Sequence, residues 1–181
     1  VENGKNAYES QPENKVILHD LQQLVTQIYP GHFMVCEEPA DPVGAAGADS
    51  CGSAFAFGFN EAVRDSVMAG TVTGDLKRKL HEYPLNNMGL VLGSHDSYVG
   101  ERLIEAFQGN EAGYKVAAAT QMTLPGQPFI YYGEEIGMGH SQGNSGDWGL
   151  RAPMSWTADG GFSTVAPFRA PAANQREYNA A

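Results

Sequence analysis

Positive charge is scarce in these 181 residues: 11 Lys and Arg stand against 21 Asp and Glu, a formal net charge of −10. A nucleic-acid groove or an anionic membrane surface needs clustered Lys and Arg, so neither is an expected partner. The one basic knot, Lys77-Arg78-Lys79, fits one helical turn and reads as a solvated face. Long apolar runs are missing as well. None approaches the roughly 18 residues that span a bilayer, and Val1-Glu2-Asn3-Gly4-Lys5 offers neither a hydrophobic signal core nor a starting Met. Cysteine is rare. Cys36 and Cys51 allow one bridge at most, and two free buried thiols are the preferred reading, which leaves the compartment open. The histidines at 19, 32, 81, 95 and 140 show no paired ligand spacing, so no metal site is assigned and a metal-dependent hydrolase is disfavoured.

Length allows one good core and suggests one domain. What the chain does have is three short apolar runs that stop on titratable groups. Phe33-Met34-Val35-Cys36 precedes Glu37-Glu38; Met88-Gly89-Leu90-Val91-Leu92 precedes Ser94-His95-Asp96; Phe129-Ile130-Tyr131-Tyr132 precedes Glu134-Glu135. Strands that begin buried and end polar suit a parallel sheet with its site at the C-terminal strand ends. Strands are expected at 32–36, 55–59, 88–92 and 129–132. Helices are expected at 15–29, 61–68, 75–83, 101–108 and 112–123, with residues 1–14 as a polar loop. Pro39 to Gly47 is a loop rich in Pro and Gly, of the kind that shapes access to a site. Alternating strands and helices indicate an α/β fold. Beyond Gly133 the chain turns glycine-rich, with Trp148, Trp156, Phe162 and Phe168 as punctuation.

The strand ends are suited to cleaving a glycosidic bond. That reaction needs a carboxylic acid to protonate the leaving oxygen and a carboxylate to attack or stabilise the sugar cation. Glu37 can be kept protonated by desolvation and a nearby negative charge, and Asp96 can supply that charge from a neighbouring strand end. His95 can donate to a sugar hydroxyl. Each motif has a plainer reading. Glu37-Glu38 can be a solvated loop start, His95-Asp96 a local cap, and Glu134-Glu135 a pair that holds the rim against Arg residues.

As whole strings these segments resemble the α-amylase family of glycoside hydrolases (family 13). The strings are Leu92-Gly-Ser94-His95-Asp96-Ser-Tyr98-Val-Gly100-Glu-Arg102, then Leu124-Pro-Gly126-Gln-Pro128-Phe-Ile-Tyr131-Tyr132-Gly133-Glu-Glu135-Ile-Gly137-Met138, then Arg151-Ala-Pro153-Met154-Ser-Trp156 with Gly161-Phe162-Ser163 after it. The resemblance implies a partial (β/α)8 TIM-type barrel, about its second half (strands 5 to 8). Residues 1–150 form that half and residues 151–181 lead toward a missing C-terminal β-domain. It places the general acid on Glu37, the transition-state stabiliser on Asp96 and the sugar contact on His95. Arg102 would anchor the sugar or position the carboxylates, and Tyr98 and Tyr132 would offer stacking faces. Cys36 stands where the family commonly has Gly or Ala, and Ser94 where it has Asn. The family's fourth-strand nucleophile has no counterpart here, so the chain is expected to begin just past that strand and to be inactive alone. The substrate expected is an α-glucan or malto-oligosaccharide. No cofactor is expected in this segment, although the intact enzyme could carry Ca2+, and the compartment implied is extracellular or periplasmic. The same strings fit an α-glucosidase, a transglycosylase, or a non-catalytic relative that binds sugar or a partner.

Overall fold

The structure is a computed structural model that describes residues 11–161 and 164–181. Residues 1–10 of the expected polar loop, and Phe162-Ser163 of the third string, lie outside the described residues. In chain order the elements are α1 (Pro12–Ile28), α2 (Pro42–Ala45), β1 (Ala54–Phe55), α3 (Phe59–Ala69), α4 (Gly74–Glu82), β2 (Met88–Val91), α5 (Leu103–Ala106), α6 (Glu111–Thr123), β3 (Gln127–Phe129) and α7 (Gly146–Leu150). The three strands form a parallel sheet in the order β1-β2-β3. Parallel neighbours need a crossover, and the helical segments between the strands supply it.

Each helix has a local cause. Pro12 opens α1 from the first turn, where its missing N–H costs nothing, so the helix begins three residues before the expected Lys15. Thr73 Oγ1 accepts from Leu76 N to cap α4, and Asn110 Oδ1 accepts from Gly113 N to cap α6. On α4, Arg78 reaches Asp75 and Glu82 while Lys79 reaches Asp75, so two of the knot's three basic residues are ion-paired along the helix, Arg78 on its exposed face and Lys79 largely covered. α6 buries Gly113, Ala117 and Gln121. Gln121 Nε2 donates to Leu90 O (2.7 Å) and to Phe129 O (2.9 Å), pinning the helix across β2 and β3.

The core lies between the sheet and α3, α4 and α6, built on Phe59, Val63, Leu76, Met88, Leu90 and Phe107. β2 is its centre, with all four residues buried. Gly89 is glycine because a side chain there would meet Phe55 (2.9 Å) and Phe129 (3.0 Å), which close edge-to-face over the strand with centroids 4.9 Å apart. A second small cluster gathers Met138, Ala152 and Ala172. By contrast, α1 buries none of its residues, and Ile17, Leu21, Leu24 and Ile28 stay exposed. No helix among the described residues is long and apolar enough to cross a membrane.

Four expectations are corrected. The strand expected at 129–132 is observed at Gln127–Phe129 and ends where it was expected to begin. The run 32–36 is not a strand: only Cys36 pairs, through a single parallel bridge to Ala54, because it lies at the sheet edge with no second neighbour. The strand expected at 55–59 stops at Phe55, since Gly58 takes a left-handed φ of 76° and turns the chain into α3. The thiols are not free. Cys36 and Cys51 form a disulfide whose Cα atoms are 6.2 Å apart, because the chain folds back to lay Ser53 and Ala54 beside Cys36. Spacing along the chain could not reveal that return.

The bridge closes a separation of 15 residues. Cys51→Ser is expected to lower unfolding free energy by about 3 kcal/mol, the entropy of a loop of that size. Denaturant titration of the oxidised protein and the variant checks it, and equal stabilities would contradict it.

Candidate active site

All strands point the same way, so their C-terminal ends share one rim. Cys36 N donates to Ser53 O and Phe55 N donates to Cys36 O, which fixes the residue before Glu37 in register with β1. Disulfide, bridge and hydrogen bonds thus converge on Cys36, the residue before the candidate acid. β2 runs on through buried Leu92 and Gly93 before the chain surfaces at Ser94-His95-Asp96. The Asp96–Gly100 turn is closed by Val99 N to Asp96 O and Gly100 N to Ser97 O. β3 delivers Ile130 and Tyr131 to the same end.

These ends enclose a cavity of about 170 Å³ lined by Glu37, Phe55, Ser94, His95, Phe129 and Tyr131, among others. The Phe55–Phe129 pair over Gly89 helps to line it. Glu37 is exposed at one side, and Tyr98 donates its hydroxyl to Glu37 Oε1. Burial raises the pKa of Tyr98 well above the usual phenol range, helped by that bond and by the charges of Glu37 and Asp96, so the hydroxyl keeps its proton. Across the cavity His95 Nε2 stands 3.3 Å from Asp96 Oδ2. The structure therefore brings Glu37, His95, Asp96 and Tyr98 together at one rim.

Arg102 is not among them. Its side chain is 1% exposed, donates to Tyr132 O and Leu150 O (2.6 Å each), and lies over the rings of Tyr131 (4.4 Å) and Tyr132 (4.9 Å). It fastens the rim from behind instead of reaching a ligand. Tyr132 donates to Ala152 O, and it is Tyr131 that lines the cavity.

Arg151 was not picked out from the sequence. Its Nη2 is 2.7 Å from Asp96 Oδ1 and 3.0 Å from Asp147 Oδ2, and its Nε donates to His95 O. Asp147 also accepts from Ser97 N (2.8 Å) and Ser97 Oγ (2.7 Å), bonds that hold its carboxyl below the usual range. Its traces in the sequence are its place at the head of the Arg151-Ala-Pro153-Met154 string, where it was given no role, and the i, i+4 spacing of Asp147 and Arg151, which any surface helix could show.

Glu134 is 6% exposed and packs against Gly93, where any side chain would collide with its Oε1. Oε2 accepts from Tyr131 N, and Oε1 has no partner among the described residues. Burial raises its pKa to about 7, against the pull of that bond and of Arg102. Glu135 beside it is exposed. Neither lines the cavity. Among the described residues no group of three or more His, Cys, Asp or Glu is placed to hold a metal ion.

Comparison with known proteins now decides the family. The model of the α-amylase catalytic domain matches residues 1–181. The chain belongs to the α-amylase family of glycoside hydrolases. It is 32% identical over 145 residues to neopullulanase 2 of Thermoactinomyces vulgaris, covering 76% of this chain and 24% of that protein. It is 26% identical to the trehalose synthase/amylase TreS of Mycobacterium tuberculosis (strain CDC 1551 / Oshkosh), covering 89% and 34%. The structure of the α-amylase from H.orenii superposes with a TM-score of 0.63 at 24% identity, over 93% of this chain and 34% of that one, a likeness of fold. The chain of this α-amylase relative thus spans about a third or less of the proteins it matches.

Glu134 predicts a pH dependence. A carboxyl raised from 4.5 to about 7 on folding contributes stability that is complete below pH 4.5 and is lost as pH rises through 7. The loss should reach about 3 kcal/mol. Glu134→Gln should remove that slope, making the variant more stable than wild type at pH 8 but not at pH 4.5. Unfolding free energies at both pH values check this, and parallel pH profiles would contradict it.

Proposed function

We propose that this chain is the second half of the catalytic barrel of a retaining hydrolase that cleaves α-1,4-glucosidic bonds in α-glucans. On this reading the run ending at Cys36, then β1, β2 and β3, are strands 5 to 8. Residues 151–181 then lead toward a C-terminal β-domain. Glu37 protonates the leaving oxygen and later activates water. Asp96 meets the sugar as the ring flattens and stabilises its developing positive charge. His95 donates to a sugar hydroxyl, and Tyr98 orients Glu37. One observation carries the reading: Glu37 and His95 line the same cavity, and Asp96, outside that lining, stands 3.3 Å from His95 Nε2. The named activities of relatives such as neopullulanase and trehalose synthase/amylase support a carbohydrate substrate. The trehalose synthase likeness also favours a second reading, an α-glucosidase or transglycosylase on the same scaffold. The Cys36–Cys51 disulfide supports an extracellular or periplasmic location, where such bonds persist.

The roles assigned here include no attacking carboxylate, so residues 1–181 alone should release no reducing sugar from starch. In the whole protein, Glu37→Gln should lower kcat on maltoheptaose by about 10²- to 10⁴-fold, the usual contribution of a general acid–base group. Reducing-sugar release with product chromatography checks both, and longer products would mark the transferase. Undiminished turnover by the Gln variant, or turnover by residues 1–181, would overturn the assignment.

A further inference from the structure

Glu37 is the first residue inside the covalent loop that the Cys36–Cys51 bridge closes. That loop runs through Glu38, the stretch rich in Pro and Gly, and α2, and then leads into β1. Its far end is a firm anchor. Asp41 Oδ1 accepts from Gly44 N (2.9 Å), Cys51 N donates to Ala45 O (3.1 Å), and Gly52 N donates to Gly47 O (3.1 Å). Ala45, Ala46, Ser50 and Cys51 are buried, and the two alanines belong to the main core. The near end is held on one side. Among the described residues, the run up to Cys36 meets only the segment entering β1, through Cys36 N to Ser53 O, Phe55 N to Cys36 O and Ser53 Oγ to Met34 O. Between Glu37 and Asp41 the chain is neither helix nor strand. The Glu37 carboxyl itself is met by Tyr98, which comes from the Asp96 turn.

We propose that Cys51, through its bridge to Cys36, is a positioning residue that fixes the backbone from which Glu37 reaches the leaving oxygen. The inference rests on the proposed hydrolase and adds a residue to it. Cys51 is 1% exposed and acts only through Cys36. The bridge fixes the root of the Glu37 side chain to the buried turn, and Tyr98 fixes its carboxyl. A side chain held at both ends keeps one place, whereas one held only at its head moves with its backbone. Proton transfer needs hydrogen-bond reach, and a misplacement of about 1 Å can cost about 10²-fold in rate. Cys36 stands where the family commonly has Gly or Ala, so this tether is a feature of this chain. A dithiol reductant opens it. One thiolate attacks a bridge sulfur, the second displaces the mixed disulfide, and the reductant leaves as its own disulfide while Cys36 and Cys51 take up two electrons and two protons.

Two substrates separate a misplaced acid from a damaged fold. Maltoheptaose needs a proton on its leaving oxygen, whereas α-maltosyl fluoride loses fluoride without a general acid. The whole protein is assayed oxidised, after reduction with dithiothreitol, and as Cys51→Ser, with circular dichroism to show that each form is folded. Reduction and Cys51→Ser should each lower kcat/KM on maltoheptaose roughly tenfold, part of the ~10²- to 10⁴-fold that a general acid supplies. Both should leave kcat/KM on α-maltosyl fluoride unchanged. Glu37→Gln should show the same split more strongly. Reoxidation should restore the reduced protein, and Cys51→Ser should lose nothing further to dithiothreitol. If thiol titration shows that the bridge resists reduction, Cys51→Ser alone decides. Equal losses on the two substrates, or no loss on either, would overturn the positioning role. Turnover that is indifferent to the bridge leaves the hydrolase standing and removes only that role. Failure of the oxidised protein to turn over either substrate removes the hydrolase, and the role of Cys51 with it.

Discussion

The central strand β2 can carry no charge. It is paired on both edges and buried along its whole length, so an ionised group within it would be stripped of water with no partner. Polar chemistry is thereby displaced to the place where the strand leaves the sheet. That exit is Ser94-His95-Asp96. Because its neighbours run parallel, their exits fall at the same end, and the run through Cys36 brings Glu37 there as well. Concentrating titratable groups at one rim follows from burying the strands, not from any attraction between the groups.

Having been gathered, the rim loops must be kept apart and aimed. Tyr98 spans from the Asp96 turn to Glu37. Arg151 and Asp147 tie α7 to the other side of that turn. Behind them, Arg102 donates through Nη1 and Nη2 to the carbonyls of Tyr132 and Leu150. One arginine thus faces the site and one supports it, although both sit in strings that resemble the same family. The aromatic pair over Gly89 lines the space between, and Gly93 leaves room for the Glu134 carboxyl beneath the rim.

Much of this was legible along the chain. The helices α3, α4 and α6 follow from apolar spacing and caps, and β2 from an apolar run with a polar stop. His95 and Asp96 were legible for the same reason, as the polar stop of a buried run. Glu37 follows a run that is neither buried nor a strand, with Phe33 61% exposed, so burial of that run does not explain its place. Three features were not legible. The Cys36–Cys51 bridge depends on a loop folding back against the sheet edge. The burial of Arg102 depends on carbonyls 30 and 48 residues away. Arg151 became a site residue only when α7 packed against the Asp96 turn. Each is a contact between distant segments, for which local periodicity carries no signal. The edge position of residues 32–36 belongs with them, because their apolar pattern is that of a strand and only the pairing partner is wanting.

The account rests on Glu37 and Asp96 facing one bound sugar at the C-terminal end of the sheet. A crystal structure of the protein with a malto-oligosaccharide inhibitor tests this most directly. One pyranose ring should lie between the two carboxyls, within hydrogen-bond reach of His95 and above the Phe55–Phe129 pair. A sugar bound at the opposite end of the strands, or a ring touching only one of the two carboxyls, would contradict it.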